Sequence, residues 1–426
     1  MERNDPRYQA YVEILKEELI PAMGCTEPIA LAYAAAKARE MLGVLPDSVQ
    51  LQVSGSIIKN VKSVIVPNTG HLKGMEAAVA AGIIAGSAEK ELEVISEVSE
   101  EKKSAIRDYL QTVPITIEHT EQGHVFDIVV TERCGQDYAR VRIADYHTNI
   151  CRIEKNGTVL YEVPLLDETV QENARADRSL LNMQDIWDFA ETADLRDVAD
   201  LLERQIRYNN AIAEEGLLGD YGANIGRVLL TTYGNDVSNR AKAKAAAGSD
   251  ARMNGCELPV IINSGSGNQG ITCSVPLIEY AKELHSGKEK LYRALIISNL
   301  VAIHEKTGIG TLSAYCGAVS AGAGAGAGIV YLCGDGYQAA IHTVVNALAI
   351  VSGIVCDGAK ASCAAKIASS VDAALLGYNM YKCNQEFKGG DGIVMKDIET
   401  TIKGIGRLGK DGMRQTNEEI IRLMMS

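Results

Sequence analysis

The stretch Gly308–Gly334, GIGTLSAYCGAVSAGAGAGAGIVYLCG, contains no charged residue. About 20 apolar residues suffice to cross a bilayer, so a membrane span is one interpretation of this stretch. It consists mainly of Gly, Ala, Ser and Thr, however, which makes it only weakly hydrophobic, and no basic cluster flanks it to set a topology. We therefore predict a buried central helix over Ile309–Leu332, which requires no membrane partner.

The sequence on the two sides of this stretch indicates two kinds of structure. From Met183 onward the signals are helical almost throughout, whereas earlier residues show the alternation that is typical of strands. The predicted strands are Val49–Ile58, Val113–Glu118, Val125–Thr131, Ala139–Ala144, Asn149–Glu154 and Thr158–Val163, with turn signals such as Gln122-Gly123 and Asn156-Gly157 between them. Two helices are expected within the first 45 residues, the second with Thr26 as its N-cap, and a later helix is expected to begin near Pro276.

These patterns predict an α+β fold with two lobes. A smaller lobe with a mixed or antiparallel sheet spans residues 46–180, and a larger, mainly helical lobe spans 181–426. The N-terminal helices, 1–45, are expected to pack on the helical lobe. The length of 426 residues agrees with two lobes, because one hydrophobic core rarely serves more than roughly 250–300 residues.

The charge and the composition limit the classes of partner and the cellular compartment that the sequence suggests. The 55 acidic and 42 basic residues give a net charge of −13, which argues against nucleic acid as a partner. The polar start, Met1–Asp5, lacks the apolar run of a secretory signal, so we expect a cytoplasmic protein with reduced thiols. The expected partner is a small molecule. Whether the protein forms a homo-oligomer stays open, because helices rich in small residues suit either the core of a lobe or a dimer interface.

Three of the ten cysteines lie in polar, glycine-containing surroundings. Cys316 precedes the Gly/Ala helix, and Cys356 and Cys363 enclose Asp357–Ser362. Buried, inert thiols are the first interpretation from spacing alone, because free cysteine is among the most buried residue types. Three thiolates without a fourth also suit a 4Fe-4S cluster with one open iron, which is a Lewis acid.

A fourth cysteine and two polar turns are further candidates. Cys25 lies at the expected start of a helix, where N–H groups and the helix dipole favour a thiolate, although a packed thiol is equally compatible with the sequence. The loop Asn263–Gly270 and the turn Asn68–Gly70 carry polar groups that suit a carboxylate ligand, with a solvated loop as the alternative. The candidate ligand residues are Asn68, Thr69, Gly70, Ser264, Gly265, Ser266, Gly267, Asn268 and Gln269.

Four motifs together resemble the L-cysteine desulfidase family. They are Gly24-Cys25-Thr26-Glu27-Pro28, Ser249–Met253 (SDARM), Asn263–Thr272 (NSGSGNQGIT) and Val351–Cys363 (VSGIVCDGAKASC). The chain is also similar, more distantly, to the alpha part of iron–sulfur L-serine dehydratases. The motifs extend from about residue 20 to about 365, so the resemblance covers most of the chain.

The resemblance implies a lyase that splits L-cysteine into sulfide, ammonia and pyruvate without pyridoxal phosphate. It places the ligands of a 4Fe-4S cluster at Cys316, Cys356 and Cys363, and the acid or base of the reaction at Cys25. The loop Asn263–Gly270 and the turn Asn68–Gly70 would then hold the substrate carboxylate. An L-serine dehydratase and a non-catalytic iron–sulfur protein remain the alternatives.

Overall fold

The computed structural model describes residues 1–120, 124–165, 175–310 and 312–425. The strands are β1 Pro21–Met23, β2 Ser48–Ser54, β3 Ile115–Thr120, β4 Asp127–Cys134, β5 Asp137–Ala144, β6 Ile150–Lys155, β7 Thr158–Glu162 and β8 Pro259–Ile261. The helices before the helical lobe are α1 Pro6–Glu18, α2 Thr26–Leu42, α3 Gly55–Val61, α4 Gly74–Ala85 and α5 Glu100–Thr112. The later helices are α6 Met183–Thr192, α7 Ala199–Leu218, α8 Ile225–Tyr233, α9 Val237–Met253, α10 Gly267–Glu283, α11 Lys288–Ile309, α12 Gly317–Cys333, α13 Tyr337–Val351, α14 Ser362–Lys382, α15 Ile398–Arg407 and α16 Arg414–Met425.

The six-stranded sheet has the order β3-β2-β4-β5-β6-β7 and is mixed, because β2 and β3 are parallel and the other neighbours antiparallel. Alternation sets its faces: in β5 the side chains of Val141 and Ile143 are buried, while Arg142 between them is partly exposed. Together with the long helical part, the sheet confirms the α+β prediction. The predicted turn Gln122-Gly123 lies outside the described residues.

The two N-terminal helices pack on different parts of the molecule. Tyr8 and Tyr11 of α1 contact Phe189 of α6, with ring centroids 5.1 and 5.4 Å apart. Helix α2 departs from the expectation of packing on the helical lobe: its alanine-rich surface covers β4 and β5 and meets α4. A Cβ atom at Gly82 of α4 would overlap the Ala32 carbonyl, so glycine permits this close contact.

The predicted central helix exists, but it is shorter than expected. It is α12, which is almost entirely buried and begins at Gly317 rather than Ile309. The preceding residues instead form a bridge in which Tyr315 pairs with Val355. Glycines along α12 meet α10, α11, α13 and α14, so small residues set the packing distance on all sides. Among the described residues, no helix is long and apolar enough to span a membrane.

Three local predictions are wrong in their boundaries. Strand β2 ends at Ser54 rather than at Ile58, because the apolar pair Ile57-Ile58 belongs to helix α3. Helix α10 starts at Gly267 rather than near Pro276, which lies inside the helix. Thr26, the expected N-cap of α2, is its first residue, and Cys25 is the cap. The last two changes affect the candidate site directly.

Candidate active site

A short two-stranded ladder joins Cys25 to the polar loop. Strand β1 pairs antiparallel with β8, so Gly24-Cys25 and the loop after Ile261 leave opposite ends of the same three-residue ladder. The Thr26 hydroxyl donates a hydrogen bond to the Gly265 carbonyl at 3.0 Å. Gly24 adopts a left-handed conformation with φ of 61° and packs against Pro67. This arrangement also brings the turn Asn68–Gly70 close to Cys25.

The Cys25 thiol is buried and protonated at rest. Its Sγ donates a hydrogen bond to Oε2 of Glu27 at 3.0 Å. Burial raises the thiol pKa well above its usual range, and the Glu27 carboxylate raises it further, against the opposing effect of Arg252. This corrects the expectation that the helix N-terminus favours a thiolate, since desolvation and a neighbouring negative charge outweigh the helix dipole.

Glu27 connects Cys25 to two elements of the sheet lobe. Its Oε1 accepts a hydrogen bond from Asn60 Nδ2 at 2.9 Å and lies 3.9 Å from His147 Nε2. Burial alone would raise the carboxyl pKa, but His147 and Cys25 lower it to about 2. Glu27 therefore stays ionised. The His147 ring packs edge-on against Phe126, with centroids 4.7 Å apart.

The polar loop is shorter than the sequence suggested, and its second half is the first turn of α10. Ser264 and Gly265 have positive φ, and Ser266 caps the helix without a side-chain hydrogen bond. The N–H groups of Gly267, Asn268 and Gln269 are those that a helix leaves without intrahelical partners. Such a turn attracts anions. The sequence-predicted ligand residues thus divide between a tight turn and a helix N-terminus.

The side chains in this region have different roles. The Asn263 amide donates to Asn299, and Ser264 Oγ donates to Asn263 Oδ1 at 2.9 Å, so both stabilise the loop. Gln269 lies against Gly317, directly after Cys316, where a Cβ would overlap its amide. Its buried Oε1 has no partner among the described residues. Gln269 therefore brings an available acceptor next to the predicted cluster cysteine.

The turn Asn68–Gly70 has its side chains already engaged. Asn68 Nδ2 donates to the Ile95 carbonyl at 2.8 Å, and Thr69 Oγ1 donates to the Val66 carbonyl at 2.7 Å. A Cβ at Gly70 would overlap the Arg107 guanidinium. These bonds stabilise the turn, so its predicted role in binding substrate depends on backbone groups and stays a prediction.

The three predicted cluster cysteines lie in one region. Cys316 caps α12, and its N–H donates to the Ile354 carbonyl at 3.2 Å. The Cys356 N–H donates to the Ala314 carbonyl at 2.6 Å, across the same bridge. Cys363 is the second residue of α14. Burial raises the pKa of Cys316 to about 12, and the nearby Cys356 and Cys363 add to this effect.

Lysines surround these thiols. Lys59 is 1% exposed, and its Nζ donates to the Cys356 carbonyl at 3.4 Å and to Asn417 Oδ1 at 2.7 Å. Lys366 Nζ donates to the Val355 carbonyl at 2.9 Å. Burial lowers the pKa of Lys306 to about 8, although Cys356 and Cys316 oppose this shift. Positive groups thus lie where thiolates would need compensation.

The donor chemistry of this region fits an iron–sulfur cluster. Thiolates are the ligands of such clusters, and helix N-termini and lysines balance their negative charge. Within the described ranges, no group of three or more His, Cys, Asp or Glu side chains is already arranged to hold a metal ion. The three cysteines therefore provide the right donors, while their role as ligands stays a prediction.

Arg252 links the two halves of the site. It is 2% exposed, and Cys25, Glu27 and Cys363 are the ionisable groups that act on its charge. Arg252, Glu27 and Lys59 were not among the predicted site residues. Arg252 and Glu27 belong to motifs already noted in the sequence, but their pairing with the cysteines depends on contacts between distant segments.

Comparison with known proteins identifies the family. The family model for the serine dehydratase alpha chain matches residues 89–422. A UPF0597 protein of Desulfitobacterium hafniense is 61% identical over 426 residues, covering 100% of this chain and 99% of the relative. A UPF0597 protein of Lachnoclostridium phytofermentans is 52% identical over 98% of this chain and 100% of its own.

A third UPF0597 protein, from Treponema denticola, is 46% identical over the full length of both chains. The matched ranges span both lobes and contain positions 263–270 and the positions of the three cysteines in the helical lobe. The resemblance noted in the sequence is thus confirmed at the level of the family, and an amino-acid lyase of the serine dehydratase kind is supported. The chain belongs to the serine dehydratase alpha-chain family, with UPF0597 proteins as close relatives.

Proposed function

We propose that the protein is a lyase that converts L-cysteine into sulfide, ammonia and pyruvate with a 4Fe-4S cluster on Cys316, Cys356 and Cys363. The observation that supports this most is the position of Arg252, on which both Cys25 and Cys363 act. The proposed proton-transfer residue and a proposed cluster ligand are therefore both within electrostatic range of one buried side chain, which supports a shared site. When bound, the cluster supplies a Lewis acid for the departing sulfur.

The chain's own residues account for substrate binding. The first turn of α10 offers N–H groups to the substrate carboxylate, and the buried Oε1 of Gln269 offers an acceptor to the ammonium group. Backbone groups of the Asn68–Gly70 turn complete this binding region. The ordered hydrogen bonds of Asn263 and Asn68 keep both turns rigid, which positions the substrate before the reaction.

Cys25 is the proposed acid–base residue. Its thiol donates a hydrogen bond to the Glu27 carboxylate, so Cys25 can accept the Cα proton only after it has passed its own proton to Glu27. This transfer is uphill from the resting state, because Glu27 is ionised with a pKa of about 2. The positive charge of Arg252 lowers the thiol pKa and so favours the active thiolate. Loss of the Cα proton and of sulfide leaves aminoacrylate, and water hydrolyses aminoacrylate to pyruvate and ammonia.

L-Serine is the second candidate substrate, because the family model that matches is the serine dehydratase alpha chain. The chemistry differs only in the leaving group, which is hydroxide instead of sulfide. Serine would give pyruvate and ammonia without sulfide, so the two candidates are separable by their products.

The test is anaerobic purification with iron and sulfide reconstitution, followed by pyruvate and sulfide assays on L-cysteine and pyruvate assays on L-serine. Cys316→Ala should lose iron and activity, whereas Cys383→Ala, an exposed cysteine outside the site, should keep both. Pyruvate from serine alone would assign the dehydratase. Bound iron with no pyruvate from either substrate would reject a lyase of either amino acid, and an absence of iron would reject the cluster.

A further inference from the structure

Arg252, in the last turn of α9, is a buried cation without a matching anion. Its Nη1 donates to Asn268 Oδ1 at 3.1 Å, while its Nε has no partner among the described residues. Across the same part of the chain, the guanidinium forms no ion pair with a carboxylate. A buried guanidinium stays charged, so leaving it unpaired is costly. This environment therefore favours an anionic ligand.

A helix N-terminus lies directly against the guanidinium. A Cβ atom at Gly267 would overlap Nε of Arg252, so only glycine at this position lets the side chain lie across the first turn of α10. The cap residue Ser266 makes no side-chain hydrogen bond to this turn. The N–H groups at the start of the helix and the unpartnered Nε thus face the same small region, and both are donors to negative charge.

The nearby Glu27 does not fill this role. Its carboxylate already accepts hydrogen bonds from Cys25 and Asn60, and His147 lies on its other side. Glu27 acts on Arg252 through its charge but forms no ion pair with it. The Nε donor of Arg252 and the N–H groups of the α10 turn remain available for a ligand.

We propose that Arg252 and the first turn of α10 together bind the α-carboxylate of the substrate, and that Arg252 selects carboxylate-bearing ligands. The inference relies on the proposed function for the identity of the substrate as an amino acid. A guanidinium with two N–H groups in one plane matches a carboxylate better than a single point charge does. Amino acids should therefore bind, and the corresponding amino alcohols should not.

The experiment is calorimetric titration of the anaerobically purified protein with L-alanine, which has the head group but no leaving group, and with L-alaninol, which lacks the carboxylate. We expect L-alanine to bind and L-alaninol to bind at least roughly 10-fold more weakly. Arg252→Gln should weaken L-alanine binding roughly 10- to 100-fold. Arg240→Gln, on the same helix but away from the site, should leave it unchanged.

Two further variants keep the test decisive if Arg252→Gln does not fold. Arg252→Lys keeps the charge but loses the planar pair of donors, and Gly267→Ala displaces the guanidinium without removing it; both should weaken L-alanine binding. Equal affinity of L-alanine for wild type and these variants would overturn the proposal. The proposal would also be overturned if wild type failed to bind L-alanine or bound L-alaninol equally well.

Iron content separates this inference from the proposed function. Loss of iron in Arg252→Gln with unchanged L-alanine affinity would mean that Arg252 supports the cysteines instead, and would overturn the inference. If L-alanine binding depends on Arg252 but neither cysteine nor serine yields pyruvate, the lyase proposal fails while the carboxylate site stands.

Discussion

The Sγ atom of Cys25 lies 3.0 Å from Oε2 of Glu27, so a thiol and an ionised carboxylate share a hydrogen bond in the protein interior. Glu27 is the nearest negative charge to the thiol, and it raises the thiol pKa beyond the effect of burial. This pair determines the protonation state of the proposed acid–base residue.

Glu27→Gln should lower the pKa of Cys25, because an amide removes the negative charge that opposes the thiolate. The measurement is the pH dependence of Cys25 alkylation, followed by mass spectrometry of the peptide that contains it. The midpoint should move to lower pH in Glu27→Gln and stay in place in Glu13→Gln, a change at an exposed residue. An unchanged midpoint would show that burial alone sets the thiol pKa.

Cys25→Ser should reduce turnover of the reconstituted protein by about 10²–10⁴-fold, the usual contribution of a positioned acid or base. Its iron content should equal that of wild type, since Cys25 is not a proposed ligand. Cys134→Ser, in the sheet lobe, serves as the control and should retain full activity. Iron loss in Cys25→Ser would instead assign this cysteine to the cluster.

Glu27 should also make the fold sensitive to acid. Its pKa of about 2 in the folded protein is below the ordinary value of 4.5, so its stabilising contribution is complete above roughly pH 5 and is lost as pH falls toward 2. Denaturant unfolding at pH 6 and pH 3 measures this change. Between pH 6 and pH 3, the unfolding free energy should fall less in Glu27→Gln than in wild type. An equal fall in both proteins would contradict the stabilising role of Glu27.

Gly82→Ala should destabilise the protein, although alanine normally favours a helix. The added Cβ would overlap the Ala32 carbonyl, so α2 and α4 must separate, at a cost of about 1–3 kcal/mol. Gly353→Ala, where a Cβ would meet nothing, is the matched control and should be neutral. Thermal unfolding of both variants is the measurement, and equal melting temperatures would exclude the close contact.

The sequence predicted the elements whose residues alternate or repeat regularly. Strands β3 to β7 follow from alternation, and the buried α12 follows from an uncharged run of small residues. The predicted boundaries are wrong where tertiary packing overrides a local signal. Proline is typical of a helix start, but the glycine-rich residues before Pro276 pack closely enough for α10 to begin at Gly267.

The site was predictable only as separate motifs. Cys25 and the loop at 263–270 could each be identified, but their proximity depends on the pairing of β1 with β8. The roles of Arg252 and Lys59 depend on burial, and single-sequence patterns do not show which arginine or lysine becomes enclosed. Tertiary docking brings these charged groups to the cysteines.

The Thr26–Gly265 hydrogen bond joins residues that are 239 positions apart. During synthesis on the ribosome, Cys25 therefore emerges long before the loop that completes its surroundings, and Cys363 emerges later still. Folding of the nascent sheet lobe can proceed in the meantime, but the region around Arg252 cannot form until most of the chain has been made. Any cofactor that this region takes up on these cysteines must consequently be delivered after Cys363 has been made, late in the synthesis of the chain.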